Sequence, residues 1–207
     1  MHLSITIILV AATALVSIMA FQRPQLFESL LFSPYAAQHR GQWYRLFSHA
    51  FVHANWPHLL VNMFVLWSFG TNVEMLYPLV TTLPLAVAFG VLYIGGILFA
   101  TLPGMAKHRD DPRYRSVGAS GAVSAVLFAQ IMLMPTNKIY LFGIVELQAW
   151  IFGVLYLIYS YAMDKRGGDN VAHDAHFYGA VFGVLFTAAL DPDLLLDLGY
   201  LERSLGF

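Results

Sequence analysis

The sequence contains no cysteine and few charged residues. Lys, Arg, Asp and Glu together make up 11% of the 207 residues, whereas hydrophobic residues make up 58% and the mean hydropathy is +0.64. The lack of cysteine excludes disulfides, thiolate catalysis and cysteine-ligated metals. A formal net charge of −1 without a basic stripe argues against nucleic acid as a partner. So little charge predicts a protein that lies in a membrane.

Long apolar runs predict an all-α, polytopic membrane protein with a single domain over residues 1–207. The predicted transmembrane helices cover residues 3–21, 56–77, 79–102, 118–134, 142–163 and 171–190. Most of these six runs approach the roughly 20 residues that cross a bilayer, and the fourth is short. Residues 17–20 also resemble a signal-peptide cleavage site, but no Lys or Arg precedes the run, which favours a retained helix.

The connections between these helices differ in character. Residues 22–55 are too many for a simple loop, and leucine and phenylalanine at helical spacing in 26–31 predict a short interfacial helix. Residues 103–115 form a charged loop, and the leucines and acids of the tail 193–207 predict another interfacial helix. The connection 164–170 contains two glycines and is predicted to be mobile.

Three of the predicted helices begin with polar groups. His58 and Asn62 lie on one face of the second helix, Ser120 begins the fourth, and His173 and His176 begin the sixth. Even-numbered helices run in the same direction across a bilayer, so these groups are predicted to lie at a similar depth on one side. Structural polar residues scattered at random would not generally align in this way.

Ser120 is a candidate nucleophile. It lies between Gly118 and Gly121, whose lack of side chains lets another helix or a substrate backbone approach its hydroxyl. The N–H groups at a helix start are free to bind a developing negative charge. The structural alternative is that this segment of small residues only packs against a neighbouring helix.

His176 is the preferred base for Ser120. Gly179 and Gly183 lie on its face of the sixth helix, and they would press that face against the small residues of the fourth. His173, nearly one turn earlier, is expected to be more exposed to water. Because no carboxylate is placed to orient the imidazole, the residues predict a Ser–His dyad, with His58 and Asn62 as oxyanion donors.

Several of these motifs resemble the rhomboid intramembrane serine proteases. The resemblance rests on Gly-Ala-Ser-Gly at 118–121, on His176 followed by Gly179 and Gly183, and on His58 four residues before Asn62. Trp43 with Arg45 in the long first loop and Glu74 late in the second helix also look like that family. The resemblance covers about residues 40–190 and matches the six-helix order of the minimal bacterial core.

The resemblance implies hydrolysis of peptide bonds in or near transmembrane segments of substrate proteins. Ser120 would be the nucleophile, His176 the base, and His58, Asn62 and the Ser120 N–H the oxyanion donors. It implies no metal and no other cofactor. It also implies a multi-pass protein of the bacterial plasma membrane, with a water-filled cavity open to the exoplasmic side.

The sequence departs from the family pattern in three respects. Many members carry a tyrosine that packs on the catalytic histidine at the position of Ser124, so Ser124 is expected to support His176 by hydrogen bonding instead. Tyr44 interrupts the pair of Trp43 and Arg45. Lys and Arg are concentrated on the side of Ser120, which by charge counting alone would be cytoplasmic, the reverse of the family's orientation.

Other interpretations remain open at this point. His53, His58, His173 and His176 could bind a metal, but no HExxH motif or carboxylate ligand accompanies them. Glu74 is interpreted as structural. A catalytically silent rhomboid-like protein that binds transmembrane segments is the main alternative function. A small transporter or channel is a third, although the sequence lacks visible inverted repeats.

Overall fold

The computed structural model describes residues 4–141, 144–166, 172–197 and 199–206, and these ranges are mostly helical. The helices are α1 (Ile5–Phe21), α2 (Pro24–Leu30), α3 (Pro34–Arg40), α4 (Arg45–Ser48), α5 (Trp56–Val80), α6 (Leu85–His108), α7 (Ser120–Leu133), α8 (Ala149–Arg166), α9 (His173–Leu190), α10 (Asp193–Leu196) and α11 (Tyr200–Leu205). A single 3₁₀ turn covers His49–Phe51, and β1 (Lys138–Leu141) pairs antiparallel with β2 (Val145–Gln148).

Helix α7 is the centre of the bundle. Every residue from 121 to 133 is buried, and α5, α6, α8 and α9 pack around it. It has 14 residues, which at ~1.5 Å per residue is shorter than the ~30 Å hydrocarbon core of a bilayer. A helix this short and this buried begins and ends inside protein, so its first residues lie in a protein-lined site.

A helix of between 14 and 25 residues lies at each of the six predicted positions. By length and composition alone, α5 and α6 are long and apolar enough to cross a membrane, and α1 and α7 are apolar but shorter. Helices α8 and α9 have 18 residues each. The six helices therefore exist, and the prediction that all six are transmembrane rests on the sequence.

The predicted bounds of the third helix are wrong. Residues 79–80 still belong to α5, and α6 begins only at Leu85 and passes through Pro103 to His108. The turn beyond Pro103 is held in place by packing, because a Cβ on Gly104 would lie 2.7 Å from the ring of Phe32. Such tertiary contacts offset the hydrogen bond that a proline removes from a helix.

The hairpin of β1 and β2 is an exception to the all-α prediction. The fifth helix begins at Ala149 rather than at 142, and residues 142–143 lie outside the described ranges. Val145 and Leu147 before Ala149 therefore belong to a short paired strand, and Lys138 and Glu146 of the two strands approach to 2.7 Å. A short apolar run does not by itself distinguish a buried helix from a strand.

Loop one and the tail are both structured. Helices α2, α3 and α4 occupy the long first connection, and Phe32 forms a β-bridge with Ser116, just before α7. At the opposite end of α7, the Glu202 carboxylate of α11 accepts bonds from the N–H groups of Thr136 and Asn137. Of the loop predicted to be mobile, residues 164–166 belong to the end of α8, and residues 167–170 lie outside the described ranges.

Candidate active site

Ser120 and His176 lie within hydrogen-bond distance. Helix α7 begins at Ser120 and helix α9 at His173, and the separation between His176 Nε2 and Ser120 Oγ is 2.8 Å. This is the distance at which an imidazole can take a proton from a hydroxyl. Residues 56 positions apart in the chain are thus joined by the packing of two helices.

Glycines bring α7 and α9 into backbone contact. A Cβ on Gly179 would lie 2.1 Å from the carbonyl oxygen of Gly121, and one on Gly183 would lie 2.2 Å from that of Ala125. On another side of α7, a Cβ on Gly121 would lie 2.3 Å from that of Ala100 on α6. No side chain fits at these positions, so the glycines set the helix spacing that places His176 beside Ser120.

His58 lies against the turn that precedes Ser120. Gly118 has a φ of +112°, which side chains disfavour, and a Cβ there would lie 2.7 Å from His58 Cε1. Asn62 is buried one turn further along α5, and its amide donates to the His58 carbonyl at 2.8 Å. The fold therefore places His58 at the candidate site, while the roles of His58 and Asn62 toward an oxyanion remain predictions.

His53 is a residue of the site that sequence reasoning considered only as a metal ligand. Its Nε2 accepts from the Ala119 N–H at 3.4 Å, and its Nδ1 lies 3.0 Å from Ser17 Oγ, which in turn donates to the Phe51 carbonyl. Burial and the neighbouring His58 lower the pKa of His53 to about 3, so the ring is neutral. This chain of bonds fixes the turn before Ser120 to α1. The serine at position 17, within the apolar run of α1, is the sequence signal that could have indicated this link between α1 and the site.

The expectation that His173 is more exposed than His176 is wrong. His173 is 4% exposed, whereas His176 is only partly buried. The reason is that α8 covers the start of α9, with the ring of Tyr159 lying 5.6 Å from that of His173. Depth along one helix cannot predict this, because the covering residue comes from a neighbouring helix.

The hydrogen bond that the structure describes for the Ser124 hydroxyl goes to Tyr156 on α8, not to His176. The two hydroxyl oxygens lie 2.6 Å apart. The ring of Tyr156 in turn lies over His176, with a centroid separation of 6.3 Å and an interplanar angle of 28°. Ser124 therefore contacts the residue that covers His176.

The remaining predicted residues lie away from the dyad. The Glu74 carboxylate accepts from the Ser4 hydroxyl at 3.0 Å and from the Thr6 N–H, so it caps the start of α1. Arg45 donates to the carbonyls of Glu28 and Leu31 at 2.8 Å each and so crosslinks loop one. Trp43 is 50% exposed, and the structure gives it no contact with the dyad.

A small cavity adjoins Ser120. Its volume is about 20 Å³, and it is lined by the turn 116–122, by His49 and Ala100, and by Ala172 and Ala175. This volume is enough for one water molecule. His49 Nδ1 lies 3.0 Å from the Arg45 carbonyl, and burial lowers the pKa of His49 to about 4. A neutral ring that donates through Nδ1 leaves Nε2 as an acceptor.

The buried neutral His49 predicts that acid destabilises the fold. Between its ordinary pKa of 6.5 and its folded pKa of about 4, the unfolded chain binds a proton that the folded chain does not. Stability is therefore expected to fall as the pH drops through this window, by about 3 kcal/mol from this residue. Unfolding curves in detergent from pH 7 to 4 measure it. His49→Gln should reduce the slope; a slope equal to that of the wild type would contradict the prediction.

Charged residues cluster at the end of the bundle where α8 ends and α9 begins. Lys107 on α6 lies 3.1 Å from Asp174 on α9 and 3.6 Å from Asp164 on α8. Asp174 is thus engaged by Lys107. Among the described residues, no group of three or more His, Asp or Glu side chains could hold a metal ion.

Comparisons with known proteins agree on one family. The Rhomboid domain family matches residues 40–192. The chain is 30% identical over 158 residues to RHOMBOID-like protein 12, mitochondrial, of Arabidopsis thaliana, covering 72% of this chain and 47% of that protein. It is 31% identical to Rhomboid-related protein 1 of Caenorhabditis elegans, covering 73% of this chain and 41% of that protein. It is 26% identical to Rhomboid protease GluP of Bacillus subtilis, covering 73% of this chain and 27% of that protein. The chain spans less than half the length of each of these relatives.

Proposed function

The chain belongs to the rhomboid family of membrane proteins, and on this premise we propose that it is an intramembrane serine protease. The observation that carries the proposal is the distance of 2.8 Å between Ser120 Oγ and His176 Nε2 at the start of a short, buried helix. The name of one relative, Rhomboid protease GluP, points to the same activity. A serine and a histidine within hydrogen-bond distance of each other support the proposal of a Ser–His dyad.

The proposed reaction uses His176 first as base and then as acid. Ser120 Oγ attacks the carbonyl carbon of the peptide bond while His176 Nε2 takes its proton. The tetrahedral oxyanion is bound by the Ser120 N–H with His58 and Asn62, and such donors contribute about 3 kcal/mol each. His176 then protonates the leaving amine, and an acyl-enzyme remains on Ser120. Water, deprotonated by His176, attacks this ester, and Ser120 Oγ then leaves with the proton that His176 returns, which releases the acid product.

The substrates we propose are transmembrane segments of other membrane proteins. The cavity beside Ser120 has a volume of only about 20 Å³, which favours a small substrate residue at the cut. We propose that this site opens to the exoplasmic side. The relatives include proteins named as mitochondrial as well as a bacterial one, so the family match does not favour the bacterial plasma membrane over another membrane.

The alternative is a catalytically silent protein that binds transmembrane segments without cutting them. Nothing specific favours it, because a binding protein needs neither a serine nor a histidine in hydrogen-bond contact. The two functions differ in one measurable property, which is the appearance of two fragments whose new ends lie in or near a transmembrane segment.

The test is cleavage of a transmembrane substrate by purified protein in liposomes, with mass spectrometry of both fragments. We expect wild-type protein to cut at a small residue and to react with a fluorophosphonate, and Ser120→Ala to do neither. Helix-breaking residues near the cut should accelerate cleavage. If the wild type binds the substrate across a panel of transmembrane sequences yet neither cuts nor reacts with the fluorophosphonate, the silent binder is the correct function.

A further inference from the structure

We infer that Tyr156 of α8 is the residue that positions His176 for proton transfer. This inference rests on the proposed function. Its sequence context is the departure at Ser124, where the chain lacks the tyrosine that many family members carry there. The structure supplies an aromatic ring to His176 from a different helix, 32 residues further along the chain from Ser124.

Tyr156 is held on both sides of its ring. It lies over His176 with centroids 6.3 Å apart, and its other ring contacts are Phe128 on α7 at 5.6 Å and Phe152 on α8 at 6.1 Å. These separations are within the range of favourable aromatic pairs. Phe128 and Phe152 therefore limit the movement of Tyr156, and Tyr156 limits the movement of the imidazole.

The hydroxyl of Tyr156 fixes the ring in a second way. It lies 2.6 Å from Ser124 Oγ, which is 3% exposed and one turn beyond Ser120 on the same helix. A closed circuit thus links the proposed nucleophile to its base. Hydrogen bonds join Ser120 to His176 and Ser124 to Tyr156, a ring contact joins Tyr156 to His176, and one helical turn joins Ser120 to Ser124. The serine that replaces the usual tyrosine becomes the anchor for the tyrosine of α8.

The circuit makes the dyad dependent on α8. Among the described residues of α8, only Ala149, Gly153 and Ser160 are buried, so this helix is held by few contacts. At Gly153 it approaches α7 closely, since a Cβ there would lie 3.2 Å from Ile131. Tyr156 lies less than one turn further along on α8. A shift of α8 away from both α7 and α9 would therefore remove Tyr156 from His176 and leave Ser124 without this partner.

A set of variants separates ring contact from hydrogen bond. Tyr156→Leu removes both, whereas Tyr156→Phe and Ser124→Ala each remove only the hydrogen bond. We expect Tyr156→Leu to lower kcat about 30-fold with KM changed less than about twofold, because misplacing a catalytic group affects the chemical step rather than binding. Tyr156→Phe and Ser124→Ala should each lower kcat about threefold. The double variant should lower kcat no more than either single variant, because both changes remove the same hydrogen bond.

The decisive variant moves the tyrosine back to α7. Ser124→Tyr combined with Tyr156→Ser places an aromatic ring one turn after Ser120, into the space that Tyr156 vacates. We expect it to regain at least about tenfold in kcat over Tyr156→Ser alone, since a positioning role depends on the ring rather than on its helix of origin. Tyr161→Leu is the matched control, because Tyr161 also lies on α8 and the ring contact described for it is with Phe177 rather than with His176.

The rate at which a fluorophosphonate modifies Ser120 is the second readout, because it needs no transmembrane substrate and reports the dyad directly. It should fall in parallel with kcat in Tyr156→Leu. A folded Tyr156→Leu that retains wild-type kcat and labelling overturns the inference, and so does a loss confined to KM. If Tyr156→Leu does not fold, the other two variants decide. The inference is overturned if Tyr156→Phe and Ser124→Ala leave kcat unchanged, and also if their separate losses of kcat add in the double variant. Failure of wild-type protein in both assays overturns the proposed function instead, and the inference with it.

Discussion

Ser120→Ala, His176→Ala and the double variant are expected to lose cleavage to the same extent, by at least about 10³-fold in kcat/KM. The hydroxyl and the imidazole lie 2.8 Å apart, and in the proposed mechanism they act as one unit, so that neither works without the other. Losses that add in the double variant would indicate two independent functions. Activity that survives Ser120→Ala would exclude this serine as the nucleophile.

This result needs evidence that the variants are folded. Ser120 is at the first position of α7 and His176 is only partly buried, so neither truncation leaves a large cavity. Unfolding curves should therefore shift little. His39→Ala is the matched control, because His39 is an exposed histidine on α3 that contacts Asp110 rather than the dyad, and it should retain full activity.

Gly179→Ala is expected to have the second largest effect, on stability and activity together. A methyl group at this position would lie 2.1 Å from the Gly121 carbonyl oxygen, which is backbone and cannot move aside as a side chain can. Helices α7 and α9 must separate, at a cost of about 1–3 kcal/mol for overpacking. The separation carries His176 away from Ser120, and a displacement of ~1 Å costs about 10²-fold in rate.

Two other glycines make this prediction specific. A methyl group on Gly90 of α6 would have no atom within 4 Å, so Gly90→Ala should leave activity unchanged and gain up to about 1 kcal/mol of helix stability. Gly183→Ala should destabilise the protein as Gly179→Ala does, because its methyl group would lie 2.2 Å from the Ala125 carbonyl oxygen. Since Gly183 is two turns beyond His176, the loss of activity should be smaller. Activity equal to wild type in Gly179→Ala would contradict the argument.

The sequence determined much of the candidate site because its signals are local. A glycine on each side of Ser120 and the spacing of His176, Gly179 and Gly183 depend only on helical periodicity and side-chain size. Long apolar runs likewise located the six helices, since apolar length is read directly from composition. The sequence also predicted that loop one is structured, from its length and its apolar spacing.

Contacts between distant segments were decided only by the tertiary structure. Helix α6 continues through Pro103 because loop one packs against it, and the residues before Ala149 form a hairpin because two short strands pair. His173 is buried by α8, and Tyr156 reaches His176 from that helix. Each outcome depends on which neighbour covers a residue, and periodicity along one helix contains no information about that neighbour. The sequence could therefore propose the dyad, but only the packing of α7, α8 and α9 shows which residues surround Ser120 and His176.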